Sequence, residues 1–306
     1  MKSILQTKEW ANFKASYDFE ILNLGKIFVH KRKLPFNQNF LYIPEMSAKN
    51  ISPQEVEDLA KLAKEQNSIF TRLELVDEFT DSGFKLLGSF GFQKSFEQVQ
   101  PKWRQIIDLK PTRGEILSQM KQKGRYNVKL AERKGVKIES YAANDQKLTK
   151  VLPAFHSLIN DTVQREKITG RSLSYFENLL KNFETTDYLK IYVAYFESVP
   201  VAAALISFYD DTASYLYGGS SRAHKEVMAP YLMHWQIIID AKEKGMNNYD
   251  MLGRSIPEQE NHKWAGVTKF KEQFGGRAVE ILGSFDYINK PVAYKLFQIA
   301  EKMRRK

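Results

Sequence analysis

Lys269-Phe270-Lys271-Glu272-Gln273-Phe274-Gly275-Gly276 follows a long amphipathic helix pattern over 229–244 and a short strand pattern, Tyr249-Asp250-Met251-Leu252-Gly253. A Phe-Lys pair beside Phe-Gly-Gly sets a cation against aromatic surface, next to backbone without side chains, which suits a site that grips a polar group at close quarters. The competing reading is a helix that ends on a glycine C-cap with its apolar face in the core. The surrounding elements decide between them.

Outward from that stretch, one order of elements recurs. Residues 7–17 read as a short helix, with Thr7 as N-cap and Trp10, Phe13 and Tyr17 on one face. Strand patterns at 20–24, 26–32 and 40–43 lead to an amphipathic helix over 52–66, opened by Ser52-Pro53. Strands at 69–75 and 98–109 come next. Residues 113–134 read as one helical stretch stopped by Gly135, followed by a strand at 136–140 and helices over 145–164 and 173–183. Strands at 188–196, 199–209 and 212–217 are punctuated by Ser198-Val199-Pro200 and Asp210-Asp211. The helix 229–244, a strand near 248–252, the Phe-Lys helix, a strand at 278–285 and a helix from Pro291 complete the chain. Helices, strands, helix and strand thus occur twice, without a sequence repeat. This predicts two related α/β lobes joined around 141–147: a first lobe over 1–144, a second over 145–285, and a C-terminal helix, 286–306, packing back on the first.

The chain has 306 residues, enough for two cores, and its 43% hydrophobic content marks it as globular. It contains no cysteine, which excludes disulfides, thiol nucleophiles and thiolate metal sites. The first six residues hold one Lys and no apolar run, so no signal peptide is expected. The longest apolar runs, such as 199–206, are too short to span a bilayer, and a cytoplasmic location is expected. The net charge of +10 favours a polyanionic partner.

None of the five histidines stands at metal-ligand spacing from another, so no metal is expected. Walker, Gly-x-Ser-x-Gly and Gly-x-Gly-x-x-Gly motifs are absent, which removes the usual signs of NTPase, hydrolase and dinucleotide chemistry. Lys121, Arg125, Lys129 and Arg133 recur every four residues and form a basic stripe on one helix face, either a solvated face or a polyanion contact. Lys31-Arg32-Lys33-Leu34-Pro35 ends a strand on cations, with Lys31 and Lys33 on one face. This suits a diphosphate, or protection of a sheet edge. Tyr215 and Tyr217 are expected on one strand face, leading into a turn at Gly218-Gly219-Ser220-Ser221. The junction that follows lacks the glycines that would grip a CoA pyrophosphate at a helix N-terminus.

Taken in order, these segments resemble the FemABX family of peptidoglycan-bridge aminoacyltransferases. The resemblance runs through Gln6-Thr7-Lys8-Glu9-Trp10, Lys33-Leu34-Pro35, Tyr42-Ile43-Pro44, Ile107-Asp108-Leu109 and Arg125-Tyr126-Asn127-Val128-Lys129-Leu130-Ala131. It continues through Tyr217-Gly218-Gly219, Ala229-Pro230-Tyr231-Leu232, His234-Trp235, Tyr249-Asp250, Phe270-Lys271 and Phe274-Gly275-Gly276. Glu45-Met46 departs from the usual Arg-Gly-Pro after Tyr-Ile-Pro.

The resemblance implies two acetyltransferase-like (GNAT-like) lobes with mixed sheets, of the compact type without a two-helix arm. It also implies transfer of an amino acid from aminoacyl-tRNA to the amine of a muramyl stem peptide, UDP-linked or lipid-linked, by a monomer. A peripheral contact with the inner membrane face is compatible with it. The activated ester makes a cofactor unnecessary. By position in the family pattern, Lys33 and Arg171 resemble residues that hold the precursor's phosphates. Trp103, Tyr175, Tyr215 and Tyr217 resemble its aromatic and hydroxyl contacts. Arg125, Lys129 and Arg133 would meet tRNA. Among catalytic residues, Lys271 is expected to stabilise the oxyanion, Phe270 to wall the site or stack near the terminal adenosine, and Asp108 to stand second to the tRNA ribose hydroxyl as proton acceptor. The rival readings are an acyl-CoA-dependent N-acyltransferase and a non-catalytic RNA-binding protein.

Overall fold

The computed structural model describes residues 3–17, 19–256 and 264–304. The chain forms two compact units, Met1–Lys102 with Glu280–Lys306, and Trp103–Val279. The junction expected near 141–147 therefore lies inside the second unit. Residues 103–142 join it because their strands pair with Leu189–Phe196 and Asn248–Gly253 of its sheet and one of their helices packs on its central helix.

In the first unit, α1 (Lys8–Ala15) precedes β1 (Phe19–Leu24), β2 (Ile27–Leu34), β3 (Gln38–Met46), α2 (Pro53–Glu65), β4 (Phe70–Glu78), α3 (Asp81–Ser89) and β5 (Gln93–Lys94). Thr7 accepts a hydrogen bond from the Trp10 amide, and Ser52 and Glu55 form a reciprocal capping box, so both helix starts read from sequence are present. Strands β1, β2 and β3 form an antiparallel meander, and α2 carries the chain over to β4, parallel to β3. Val29, Leu41, Ile43, Leu59, Leu73 and Phe285 lie in the core between sheet and helix.

The second unit repeats the plan. It contains β6 (Trp103–Asp108), α4 (Arg113–Gln119), α5 (Gln122–Arg133), β7 (Lys137–Ala142), α6 (Leu148–Glu166), α7 (Leu173–Asn182), β8 (Leu189–Phe196), β9 (Val199–Tyr209), β10 (Thr212–Ser220), α8 (Ala229–Glu243), β11 (Asn248–Gly253) and α9 (Ala265–Lys271). Strands β7 to β10 are antiparallel, α8 crosses to β11, parallel to β10, and β6 pairs antiparallel with β11. Strand β9 is buried along nearly its whole length, as its unbroken apolar run requires of a central strand. Helix α8 buries Leu232, Met233, Trp235, Ile237, Ile238 and Ile239 against that sheet, and α5 packs on it through Val128 and Ala131.

Finally β12 (Arg277–Ile288) leads back to the first unit, where it pairs antiparallel with β4, and α10 (Pro291–Arg304) follows. Helix α10 is held there by Tyr294, whose hydroxyl donates to Asp286 at 2.6 Å. Asp286 in turn takes both ends of the Arg72 guanidinium, at 2.7 and 2.8 Å, in a fully buried fork. The fold is therefore α/β, with a mixed sheet in each of two units.

Two local expectations are corrected. The single helix over 113–134 breaks at Met120, whose ψ of 147° is extended, so α4 and α5 are separate. The backbone amide of Lys121 instead donates to the Gln273 carbonyl at 3.1 Å. A register shift falls between Tyr215 and Tyr217, which oppose Ile206 and Leu205. Leu216 is thus the extra residue of a bulge, and the two tyrosines leave on opposite faces of β10. The turn expected at Gly218 begins only after Ser220.

Candidate active site

The parallel pairing of β10 with β11 comprises Thr212↔Asn248, Ala213↔Tyr249 and Ser214↔Asp250 and ends there, although both strands continue. Side chains fill the space beyond. Lys271, at the end of α9, is only 5% exposed, and its ammonium donates to the Gly253 carbonyl at 2.5 Å. It lies 5.9 Å from the centre of the Tyr215 ring. Burial pulls the Lys271 amine down to about 8; Asp250 opposes the shift and Arg254 adds to it. The same burial pushes the Tyr215 phenol up to about 12.

Sequence reasoning assigned no role to several neighbours. His234 of α8 is buried, edge-on to Tyr215 with centroids 4.8 Å apart, and shares a 2.8 Å hydrogen bond with the Tyr249 hydroxyl. Burial, then the charge of Lys271, hold its imidazole down to about 3, so it is neutral across the physiological range. Phe270 packs on Tyr231, His234 and Phe274, with centroids at 5.1, 5.5 and 5.3 Å. Asp250, 1% exposed, pairs with the buried Arg104 at 2.9 Å and accepts from the Leu252 amide at 2.7 Å. A carboxylate within an apolar strand was the readable signal: a charge placed there must be paired.

Phe270 also borders a cavity of about 150 Å³ at the N-terminal end of α8, with Ser220, Ser221, His224, Lys225 and Tyr231. A larger cavity of about 730 Å³ is lined by Gln105, Asp108, Lys110, Lys121, Arg254 and Glu272, among others. Arg254 crosses its wall, donating to Gln105 at 2.5 Å and to Glu272 at 2.8 Å. Lys271 lines neither cavity; its amine faces the strand end.

Asp108 does not join Lys271. It opposes Asn248 at the start of β11, whereas the Lys271 amine meets Gly253 at the other end. Five residues of strand span roughly 17 Å. Asp108 is exposed and accepts from the Lys110 amide at 3.0 Å, closing the turn before α4. Asp108 and the Lys271 amine thus stand at opposite ends of the β6–β11 pairing, and Asp108 borders the larger cavity.

The remaining candidates fall into two groups. On the α7 face of β10, Tyr217 packs edge-on to Phe176 at 5.0 Å and shares a 3.0 Å hydroxyl contact with Tyr175. The exposed Arg171 guanidinium sits 5.0 Å over the Tyr175 ring. Arg171, Tyr175 and Tyr217 therefore come together, and Tyr215 stands apart from them. Trp103 is half-buried at the head of β6, where its carbonyl accepts from the Arg254 amide at 3.0 Å. In the first unit, Lys33 is exposed at the end of β2 opposite Asn39, while Lys31 is engaged by Glu20 at 3.0 Å and Gln66 at 2.9 Å.

The basic stripe is thinner than its spacing suggested. Lys121 precedes α5 and pairs with Glu272 at 2.9 Å. The Arg125 guanidinium turns back to the Ser118 and Met120 carbonyls, capping the end of α4. Lys129 and Arg133 remain exposed on α5. The glycine pair is explained by the protein's own backbone. A Cβ on Gly275 would stand 2.7 Å from the Gln119 carbonyl oxygen, and one on Gly276 would stand 2.3 Å from that of Ile106. Both have φ near +75°. The C-cap reading of this pair is the one the structure favours. Among the described residues no group of three or more His, Asp or Glu side chains could hold a metal ion, and no helix is long and apolar enough to cross a membrane.

Known proteins resemble the chain over most of its length. A lipid II:glycine glycyltransferase of Staphylococcus haemolyticus is 22% identical, with 98% of this chain and 91% of that protein covered. An aminoacyltransferase FemB of Staphylococcus epidermidis is 36% identical over 93 residues, 30% of this chain and 22% of that protein. The crystal structure of FemX superposes with a TM-score of 0.84 at 18% identity, covering 96% of this chain and 94% of that one. L-PGS from Bacillus licheniformis shares the fold at a TM-score of 0.61 and 14% identity, covering 100% and 99%. A model of the FemAB family matches residues 45–198 and 190–302, and the chain belongs to that family.

Proposed function

We propose that this protein is an aminoacyltransferase of peptidoglycan bridge formation, moving an amino acid from aminoacyl-tRNA to the amine of a muramyl stem peptide. The observation that carries this reading is family membership across the chain, joined to a buried lysine amine at the end of β11. The stem amine attacks the ester carbonyl. The C–N bond forms, the C–O bond to the tRNA ribose breaks, and the amine's proton passes to the departing ribose oxygen. The ester is already activated, so alignment and stabilisation of the tetrahedral oxyanion are the work left to the protein. Lys271 supplies the positive charge, held by the Gly253 carbonyl beside Tyr215 and neutral His234, and Phe270 walls the cavity that receives the adenosine end of the tRNA.

Lys33 and Arg171 are each proposed as a contact for the precursor's phosphates; Arg171 lies over the Tyr175 ring, whose hydroxyl meets that of Tyr217. Lys33→Ala and Arg171→Ala are each expected to raise KM for the precursor more than they lower kcat, because the phosphates are remote from the reacting carbonyl. Steady-state kinetics with UDP-muramyl pentapeptide checks this, and wild-type affinity in both variants would remove the assignment.

Lys129 and Arg133 meet tRNA phosphate. Because Arg125 is needed at the end of α4, the test uses Lys129→Gln with Arg133→Gln. The salt dependence of tRNA binding should flatten by a slope of about 0.7–0.9 for each phosphate no longer neutralised. An unchanged slope would leave the two side chains as a solvated face.

The rival acyl-CoA reading predicts retention on a CoA matrix. Competition between CoA and aminoacyl-tRNA separates the two readings directly.

A further inference from the structure

Helix α10 has two apolar faces. Tyr294 and Phe297 pack inward with Phe40, Ile69 and Phe70. Val292, Leu296, Ile299 and Met303 point the other way and are 76%, 63%, 56% and 72% exposed. Their spacing of four, three and four residues places them within one narrow stripe along three turns. Lys295 and Lys302 are exposed beside it. Across residues 290–306 the only acid is Glu301, against six Lys and Arg side chains.

A second, independent feature arises from the same cluster. Leu34, at the end of β2, packs on it, and the Phe40 and Phe297 rings lie 5.7 Å apart. The β2–β3 hairpin then turns through Phe36 and Asn37, with φ of 58° and 54°. Such a turn favours Asn and Gly, and a bulky aromatic there is strained. Phe36 is nevertheless 95% exposed, so no packing within the chain compensates it. Arg32 and Lys33 are exposed just before it.

We infer that the outer stripe of α10, together with the Phe36 hairpin tip, docks the first unit on an anionic bilayer surface. An apolar stripe edged by lysines is the form of a helix lying in the membrane interface, its apolar side chains below the headgroups and its cations among them. An aromatic at a loop tip flanked by cations adds a second anchor, and interfacial binding by a short apolar stripe needs such a second signal. A second copy of the chain is the weaker occupant. Three turns are short for a helix pair, and twofold packing would bring the lysine edges together without acids to meet them. Docking does not depend on the proposed transfer reaction, and its test reads vesicle binding alone.

The experiment is co-sedimentation of the whole protein with phosphatidylglycerol/phosphatidylcholine vesicles and with pure phosphatidylcholine vesicles, at low and high salt. Wild type should bind the anionic vesicles, more weakly as salt rises, and bind the neutral ones at least tenfold less. The double variant Leu296→Ser, Ile299→Ser should lose at least tenfold in affinity. Phe36→Asn should bind several-fold more weakly while melting no lower than wild type, because Asn suits the turn. No binding by wild type, equal binding to neutral vesicles, or full binding by the double variant would overturn the inference. So would a dimer in sedimentation velocity that the double variant abolishes, with no vesicle binding; that result would assign the stripe to a second copy.

Discussion

Lys271→Ala is expected to lower kcat by about a hundredfold or more, with KM for both substrates little changed. The ester carbonyl acquires full negative charge only in the tetrahedral state, so an ammonium aimed at it acts on the rate and not on affinity. Lys271→Arg should not restore the rate, since a planar fork does not fit where a point charge meets Gly253 at 2.5 Å. The amine titrates near 8, and its charged form is the active one. Wild-type kcat should therefore carry a falling limb near pH 8 that Lys271→Ala lacks. Single-turnover kinetics at saturating tRNA across pH reads both effects. Weak tRNA binding with normal turnover would instead make Lys271 a phosphate ligand.

The same burial has a stability consequence of defined sign. The folded-state value, about 8, lies below the ordinary 10.5, so between them the unfolded chain binds more protons. Stability then rises with pH from about 8 to 10.5, and the full penalty applies below 8. Lys271→Met should be up to roughly 2 kcal/mol more stable than wild type near pH 7, the gain being limited by the Gly253 carbonyl left without its donor. A variant that is more stable and inactive is the signature of a charge kept for chemistry.

Gly275→Ala and Gly276→Ala should each destabilise the second unit by about 3 kcal/mol or more, combining backbone strain with an overlap that backbone atoms cannot relieve. Gly275 has φ 77° and ψ −148°, a region open almost solely to glycine. For a unit of this size the melting temperature should fall by roughly 6–12 °C, as calorimetry would show. A fall of only 1–2 °C would mean that the backbone at Gln119 or at Ile106 can move away from the turn.

Those glycines also show what could be read from the sequence and what could not. Helix starts are local: Thr7, Ser52 and Glu55 cap the helices their types announce. The antiparallel meanders and the crossovers by α2 and α8 follow from hydrophobic period and turn residues. The break at Met120 does not, because it is set by Gln273, far along the chain. Gly124 is glycine because a Cβ would stand 2.3 Å from the Gln273 carbonyl oxygen, and Lys121 gives its amide to that same oxygen. The Leu216 bulge was hidden for a similar reason. Alternation placed Tyr215 with Tyr217, whereas the helices on either side of the sheet take one each. Lys271 and Phe270 could be singled out by motif. Asp250 and Arg104 come beside that lysine through strand pairing, and His234 through the packing of α8, neither of which is legible locally. The separation of Asp108 from Lys271 is equally hidden, because sequence carries no measure of which end of a strand pair a residue joins.

The most direct test is to incubate the purified protein with mixed aminoacyl-tRNAs and UDP-muramyl pentapeptide, or its lipid-linked form, and to weigh the acceptor by mass spectrometry. The expected result is a gain of one amino-acid residue on the stem amine, abolished by ribonuclease and by Lys271→Ala. An unchanged acceptor mass with both forms, or acyl transfer supported by acyl-CoA without tRNA, would contradict it.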